Sequence, residues 1–143
     1  MATDTRLGFH FMFRIGGGQP TIQDLLFKDT ETLTKGDLVN LESGEVDLAA
    51  TGDTNLLGAV KETIAGTDST TKIKVYTDPD AVYSVYDANA RVKGATLDIA
   101  GATGAMTVAA SSNKELVVYA DSAADEQTLV RFNVGKHHES VAL

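Results

Sequence analysis

Several kinds of residue are missing or scarce in this sequence, and each absence limits what the chain can form or bind. There is no cysteine, so neither a disulfide framework nor thiolate chemistry is available. There is no tryptophan and only 6% of the residues are aromatic, whereas ligand and sugar pockets usually depend on aromatic walls. Proline occurs twice against 13 glycines, which favours short strands joined by tight turns.

Long apolar runs are also missing. No stretch approaches the roughly 18 apolar residues of a membrane span, and the N-terminus has no apolar core typical of a signal peptide. A chain of 143 residues is the length of one domain. We therefore expect one soluble protein, made in a cytoplasm and without a membrane partner.

Basic residues are fewer than acidic residues. The 12 basic residues face 20 acidic ones, for a net charge of −8. Basic and acidic residues balance in residues 1–35, so the whole acidic excess lies in the remainder. An acidic body repels phosphate, and direct binding of nucleic acid is disfavoured.

Near the N-terminus, apolar residues fall on every second position, which predicts a strand with one apolar face. Gly16, Gly17 and Gly18 follow and allow a sharp change of direction. We interpret residues 1–34 as an extended N-terminal arm with an apolar strand at 7–15 and a glycine hinge. An inner strand of the chain's own core is the other possibility. If the arm docks on another chain, the contact residues are Leu7, Phe9, Phe11, Phe13, Arg14 and Ile15.

From residue 35 to residue 143 the sequence alternates short strand patterns with turn signals about every ten residues. No window sustains a helical stripe and no repeat of fixed period is evident. The fold class predicted is all-β, with residues 35–143 forming a compact β-barrel or β-sandwich body.

The candidate motifs for chemistry are weak. His137 and His138 are adjacent and would point to opposite faces of a strand, so we expect a solvated tail and no metal site. His10 stands alone, and Asp78 and Asp80 lack the remaining ligands of a calcium loop. The glycine-rich stretches match no phosphate-binding pattern. We expect no catalytic residues, no cofactor, no metal and no enzymatic activity.

Several short stretches nevertheless form a recognisable set. They combine fold-shaping glycines with turn residues, and they are Lys35–Val39, Thr51–Asp53 with Leu57-Gly58, Asp87–Arg91, Leu97-Asp98 and Gly101–Gly104. Over about residues 30–135 the chain resembles the head decoration (cement) proteins of tailed bacteriophages. The resemblance implies a β-tulip-like or related body, a homotrimer at local threefold positions, and arms that reach the capsid or a neighbouring subunit.

The function implied by this resemblance is decoration of the virion. The protein would bind the major capsid protein on the outer capsid surface and stabilise the shell by bridging neighbouring subunits. Two alternatives remain from the residues themselves. One is a small-molecule or glycan-binding β-barrel, and the other is a structural subunit of a tail or fibre.

Overall fold

A computed structural model describes residues 7–27, 32–42, 44–65, 71–110, 112–133 and 135–137. Within these residues the secondary structure consists of strands, and no helix occurs. The all-β prediction is therefore confirmed. The strands are β1 (His10–Arg14), β2 (Ile22–Phe27), β3 (Thr32–Leu33), β4 (Leu38–Glu42), β5 (Glu45–Leu48), β6 (Leu56–Ala59), β7 (Ile64–Ala65), β8 (Lys72–Tyr76), β9 (Ala81–Asp87), β10 (Thr96–Ala100), β11 (Thr107–Ala110), β12 (Leu116–Val118) and β13 (Glu126–Phe132).

The strands form two main sheets that pack as a sandwich. The six-stranded sheet has the order β1-β9-β13-β12-β10-β11, and the five-stranded sheet has the order β6-β4-β5-β2-β8. A two-stranded sheet joins β3 to β7. The five-stranded sheet is curled, because an isolated bridge between Val60 and Val75 brings its two edges together. Of the predicted alternatives the sandwich is the one observed, and the described strands do not form a closed barrel.

The N-terminal region belongs to this body. β1 pairs antiparallel with β9 at the edge of the six-stranded sheet, and β2 lies between β5 and β8 in the other sheet. The structure thus corrects the division into an arm at 1–34 and a body at 35–143, since residues 7–27 are built into both sheets. Residues 1–6 and 28–31, also assigned to the arm, lie outside the described residues.

Two apolar clusters hold the sandwich together. One lies inside the curled five-stranded sheet and contains Phe27, Val39 and Ile73. The other lies between the sheets, where Leu38 and Leu56 from the five-stranded sheet meet Tyr83 and Leu97 from the six-stranded sheet. The five-stranded sheet therefore contributes apolar side chains to the core from both of its faces. Consecutive residues such as Leu38 and Val39 serve different clusters, because side chains alternate across a strand.

The second half of the chain repeats the strand connections of the first half. In chain order, β2, β4, β5, β6 and β8 correspond to β9, β10, β11, β12 and β13. The second strand of each set pairs antiparallel with the two strands that follow it, and the last strand pairs antiparallel with the first. The β3–β7 pair has its counterpart in the bridge between Arg91 and Ser122.

Individual hydrogen bonds repeat as well. Three bonds in the first half each have a partner in the second half whose donor and acceptor are displaced by the same number of positions. The matched pairs are Gly36 N to Val60 O (3.1 Å) with Gly94 N to Val118 O (2.9 Å), Val60 N to Asp37 O (2.8 Å) with Val118 N to Ala95 O (2.8 Å), and Lys35 N to Thr63 Oγ1 (2.9 Å) with Lys93 N to Asp121 Oδ1 (2.7 Å). The chain is thus an internal repeat of one five-stranded unit. The sequence hides it because connections of unequal length change the displacement elsewhere.

One repeated position carries a polar side chain that stabilises a loop in each half. In the first half, Asn40 Nδ2 donates to Asp53 Oδ2 at 2.9 Å. In the second half, the equivalent Asp98 accepts bonds from the backbone N–H groups of residues 112–114 at 2.8–3.0 Å. Burial alone would raise the pKa of Asp98, but these bonds and one from the Ser112 hydroxyl outweigh it and lower the pKa to about 2.

Replacing Asp98 with Asn should therefore lower the free energy of unfolding by about 2 kcal/mol at pH 7, because the amide offers one acceptor oxygen and turns an NH2 group toward backbone donors. Since the folded-state pKa is depressed, the stabilisation is present above the unfolded pKa of about 3.9 and disappears as pH falls through about 2. Urea unfolding followed by circular dichroism at neutral and acid pH measures both effects. Asp24→Asn, at an exposed ion pair with Lys74, is the control and should cost less than about 1 kcal/mol. Equal stability of wild type and Asp98→Asn at pH 7 would contradict this assignment.

Candidate docking surface around the first strand

A β-bulge in β1 decides which aromatic side chains face the core. Phe11 pairs with Tyr83 and Phe13 pairs with Val82, so Met12 is an extra residue that the partner strand does not match. Because Val82 and Tyr83 are consecutive, their side chains point to opposite faces of the sheet. Phe11 and Phe13 therefore lie on opposite faces too, although the alternating sequence predicts a single apolar stripe.

The first half of the predicted stripe is part of the chain's own core. Phe9 is 1% exposed, and Phe11 stacks on Tyr76 with ring centroids 4.8 Å apart. The backbone is fixed at the same place, since Phe9 N donates to Gly36 O at 2.7 Å and Gly8 N donates to Met106 O at 2.8 Å. Phe9 and Phe11 already have partners within the chain and are poor candidates for contact with another protein.

The second half of β1 is exposed. Met12 is 53% and Phe13 is 38% exposed, and both are among the few large apolar side chains at the surface of the described residues. Phe13 has one aromatic neighbour, Tyr119, in an edge-to-face arrangement at 5.5 Å. β1 is also an edge strand. We refer to Met12 and Phe13 on this edge as the β1 surface.

Arg14 and the glycines that follow it hold the connection from β1 to β2. Arg14 Nε lies 3.3 Å from a carboxylate oxygen of Asp78 and 3.3 Å from one of Asp80, and Arg14 Nη1 donates to Gln19 O at 3.2 Å. The residues at 16–18 are all in the left-handed region, with φ between 84° and 95°, which only glycine adopts without strain. Arg14 is thus a clamp within the chain, and the predicted glycine hinge forms a turn from one sheet to the other.

Leu7 and Ile15, the remaining predicted contact residues, are half-buried at the two ends of this segment. The Leu7 carbonyl lies 3.0 Å from His10 Nε2, and Ile15 N donates to Asp80 O at 3.0 Å. His10 and Asp80 therefore serve local structure. No cluster of three or more His, Cys, Asp or Glu side chains suited to a metal occurs in the described ranges.

His137 corrects one sequence-based expectation. Its ring is 1% exposed, its Nε2 lies 2.8 Å from Leu57 O, and it packs against Phe132 at 5.3 Å. The segment thus runs beside β6, where Leu56 N donates to Lys136 O at 3.0 Å. The predicted solvated tail is wrong for His137 because the ring fills space beside the core, while His138 lies outside the described residues.

Asp37 is a structural site that the sequence pointed to only indirectly. Its carboxylate is fully buried and accepts hydrogen bonds from Thr34 N and Gly104 N, both at 2.9 Å, and from the Thr103 hydroxyl. Lys35–Val39 and Gly101–Gly104, two of the stretches behind the decoration-protein resemblance, meet here. Their contact stabilises the fold and supplies no reactive group.

A small cavity lies next to the first strand. Its volume is about 170 Å³, and it is lined by Phe9, His10, Phe11, Lys35 and Tyr76, among others. Pockets for small molecules usually enclose roughly 300–1,000 Å³. This cavity has room for a single side chain of a partner and not for a typical ligand. Among the described residues there is also no helix of the length and apolarity needed to cross a bilayer.

Comparison with known proteins gives a fold likeness. No protein-family model matches the sequence, and no curated protein matches it. The structure is similar to the crystal structure of the head fiber gp8.5 N base in bacteriophage phi29, with a TM-score of 0.52 and 12% sequence identity. The similarity covers 81% of this chain and 98% of the fiber base. The two proteins therefore share a fold.

The opposite environments of Phe9 and Phe13 lead to a direct test. Phe9→Ala should lower the free energy of unfolding by about 3 kcal/mol or more, because it leaves a cavity in the core. Phe13→Ala should cost only about 1 kcal/mol, the contribution of its exposed aromatic pair. Denaturant unfolding of the two variants side by side provides the comparison. Similar losses for both would show that the register of β1 differs from the one described.

Proposed function

We propose that this protein is a structural component of a tailed-phage virion, acting as a decoration (cement) protein on the outer surface of the head. The observation that carries the proposal is the fold shared with a phage head fiber base over 98% of that chain. The resemblance of Lys35–Val39 and Gly101–Gly104 to head decoration proteins supports the same conclusion from the sequence. The role is binding and not catalysis, and the partner is the major capsid protein.

The β1 surface is our candidate for contact with the capsid. It combines two exposed apolar side chains with the free side of an edge strand, and exposed edges of this kind invite pairing or burial by a partner. Three copies on a homotrimer would bind through several weak contacts at once, which raises avidity without any strong single contact. Bridging neighbouring capsid subunits in this way would stabilise the shell.

A structural subunit of a fibre is the second candidate, because the similar protein is itself part of a head fiber. The two functions differ in what the protein binds at its other end. Electron microscopy of particles that carry the protein separates them: a decoration protein ends in globular density at threefold positions, whereas a fibre base continues into an elongated projection.

The proposed function is tested with heads of the phage prepared from a mutant that lacks this gene. Purified wild-type protein should cosediment with these heads to saturation. Met12→Lys should weaken binding at least tenfold without changing the melting temperature, because it places a charge in an apolar contact. Val92→Lys, which charges an exposed apolar residue elsewhere (68% exposed), is the matched control and should bind normally. Wild-type protein that stays in the supernatant would refute capsid decoration, and undiminished binding by Met12→Lys would exclude the β1 surface.

Native mass spectrometry tests the homotrimer separately. A stable species of three chains without a bound small molecule is the expected result. A monomer whose melting temperature rises with an added glycan or metabolite would favour the ligand-binding alternative instead.

A further inference from the structure

The two halves of the repeat differ at one edge. In the second half, β9 pairs with β13 on one side and with β1 on the other, where β1 covers Ala81–Ser84. In the first half, β2 pairs with β8 on the equivalent side. On its other side β2 pairs with β5, and only at Leu26 and Phe27. Among the described residues, no strand covers the part of β2 that corresponds to the β1-covered part of β9.

The register of the two ladders establishes this correspondence. Val60 bridges Val75, and the equivalent Val118 pairs with Val130. Val75 pairs in turn with Gln23 on β2, and Val130 pairs with Tyr83 on β9. Gln23 is therefore equivalent to Tyr83, Ile22 to Val82 and Asp24 to Ser84.

Exposure differs between the two edges. Val82 is 0% and Ser84 is 8% exposed, whereas Ile22 is 37% exposed and Asp24 is also exposed. Ile22 is thus one of the few large apolar side chains at the surface of the described residues.

The backbone of β2 is oriented to receive a strand at this edge. Thr21 O accepts from Thr77 N and Phe27 N donates to Thr71 O, so odd-numbered residues direct their polar backbone groups toward β8. Because orientation alternates along a strand, Ile22 and Asp24 direct theirs to the opposite side. We call these outward N–H and C=O groups the β2 half-edge.

We propose that the β2 half-edge is a strand-addition site that receives an extended segment of the capsid partner, in the position that β1 occupies in the other half of the repeat. This inference rests on the proposed function. The added strand would run antiparallel to β2, as β1 runs antiparallel to β9. Main-chain hydrogen bonds supply affinity in this mode of recognition, and alternate side chains supply specificity.

The side chains around the β2 half-edge define the segment's chemistry. Ile22 and Asp24 lie on one face of β2, and Glu45 shares that face because it pairs with Leu26. Asp24 is already paired with Lys74 at 2.9 Å. An apolar side chain over Ile22 and a lysine or arginine toward Glu45 would complement this face. A second copy of this chain is a worse occupant, because its β1 is already paired with β9.

Strands β2 and β1 both neighbour the aromatic side chain of Tyr76. Ile22 is opposite Tyr76 in the β2–β8 ladder, and Phe11 of β1 stacks on that tyrosine at 4.8 Å. Tyr76 therefore links β2 to the strand that carries the β1 surface.

Hydrogen exchange read by mass spectrometry tests the site on the full-length protein, free and bound to heads that lack it. The amides of Ile22 and Asp24 should exchange quickly in the free protein and become protected on the heads. Ile22→Lys should weaken head binding at least tenfold, since an edge lysine blocks strand addition and repels a cationic segment. Val92→Lys makes the same change away from the edge and should bind as wild type, and both variants should keep the wild-type melting temperature.

The other outcomes separate the two proposals. If the protein binds heads but Ile22 and Asp24 stay unprotected, or if Ile22→Lys binds normally, the β2 half-edge is not the site and capsid binding stands. If these amides become protected when the free protein is concentrated without heads, a second copy is the occupant and the proposed one is wrong. If wild-type protein does not bind heads, the proposed function fails and the strand-addition site fails with it.

Discussion

The buried carboxylate of Asp37 is the interaction on which the arrangement of the two halves depends. An unpaired charge in this position would cost several kcal/mol, so its three donors must all be present at once. Those donors come from the turn before β4 and from the loop between β10 and β11, which belong to different halves of the repeat. The entry of the N-terminal segment is fixed beside them, because Phe9 N bonds to Gly36 O. Gly8 and Gly36 approach so closely there that a Cβ on either would lie 3.3 Å from the other backbone.

The two copies of the repeated unit pack their apolar side chains in different ways. The first copy encloses an apolar cluster within its own curled sheet. The second copy shares its cluster with the outer face of the first copy and with Phe9. Glu115 is an example of this difference, because its position in the second copy is equivalent to that of Leu57 in the first. Burial raises the pKa of Glu115, and the N–H groups of Gly52 and Ile99 partly offset that effect. Glu115 therefore links the second copy by a hydrogen bond to the loop of the first copy that contains Gly52. The equivalent Leu57 makes apolar contacts within the first copy.

Much of the fold followed from the sequence, because local signals determine most of it. The strand from Ala81 to Asp87 and the turn at Thr77–Asp80 are predictable from alternation and turn residues. The repeat was not, since the two copies share little beyond Lys35-Gly36 and Lys93-Gly94 and their connections differ in length. The bulge at Met12 could not be predicted from the sequence either. It reverses the direction of Phe13, and only pairing with β9 produces it.

The candidate site, too, could be predicted only in part from the sequence. Alternation identified β1 as apolar on one face, but it could not say whether the chain itself or a partner covers that face. Tertiary pairing settles this for Phe9, which is in the core, and leaves Met12 and Phe13 at the surface. Comparison of the two copies of the repeat then identifies a further candidate residue, which composition could not do. An edge that is covered in one copy and open in the other directs attention to Ile22, a residue that no motif had singled out. A half-edge this short offers too few groups to drive aggregation by itself, so it can stay open in a free protein and still contribute hydrogen bonds when a partner supplies the missing strand.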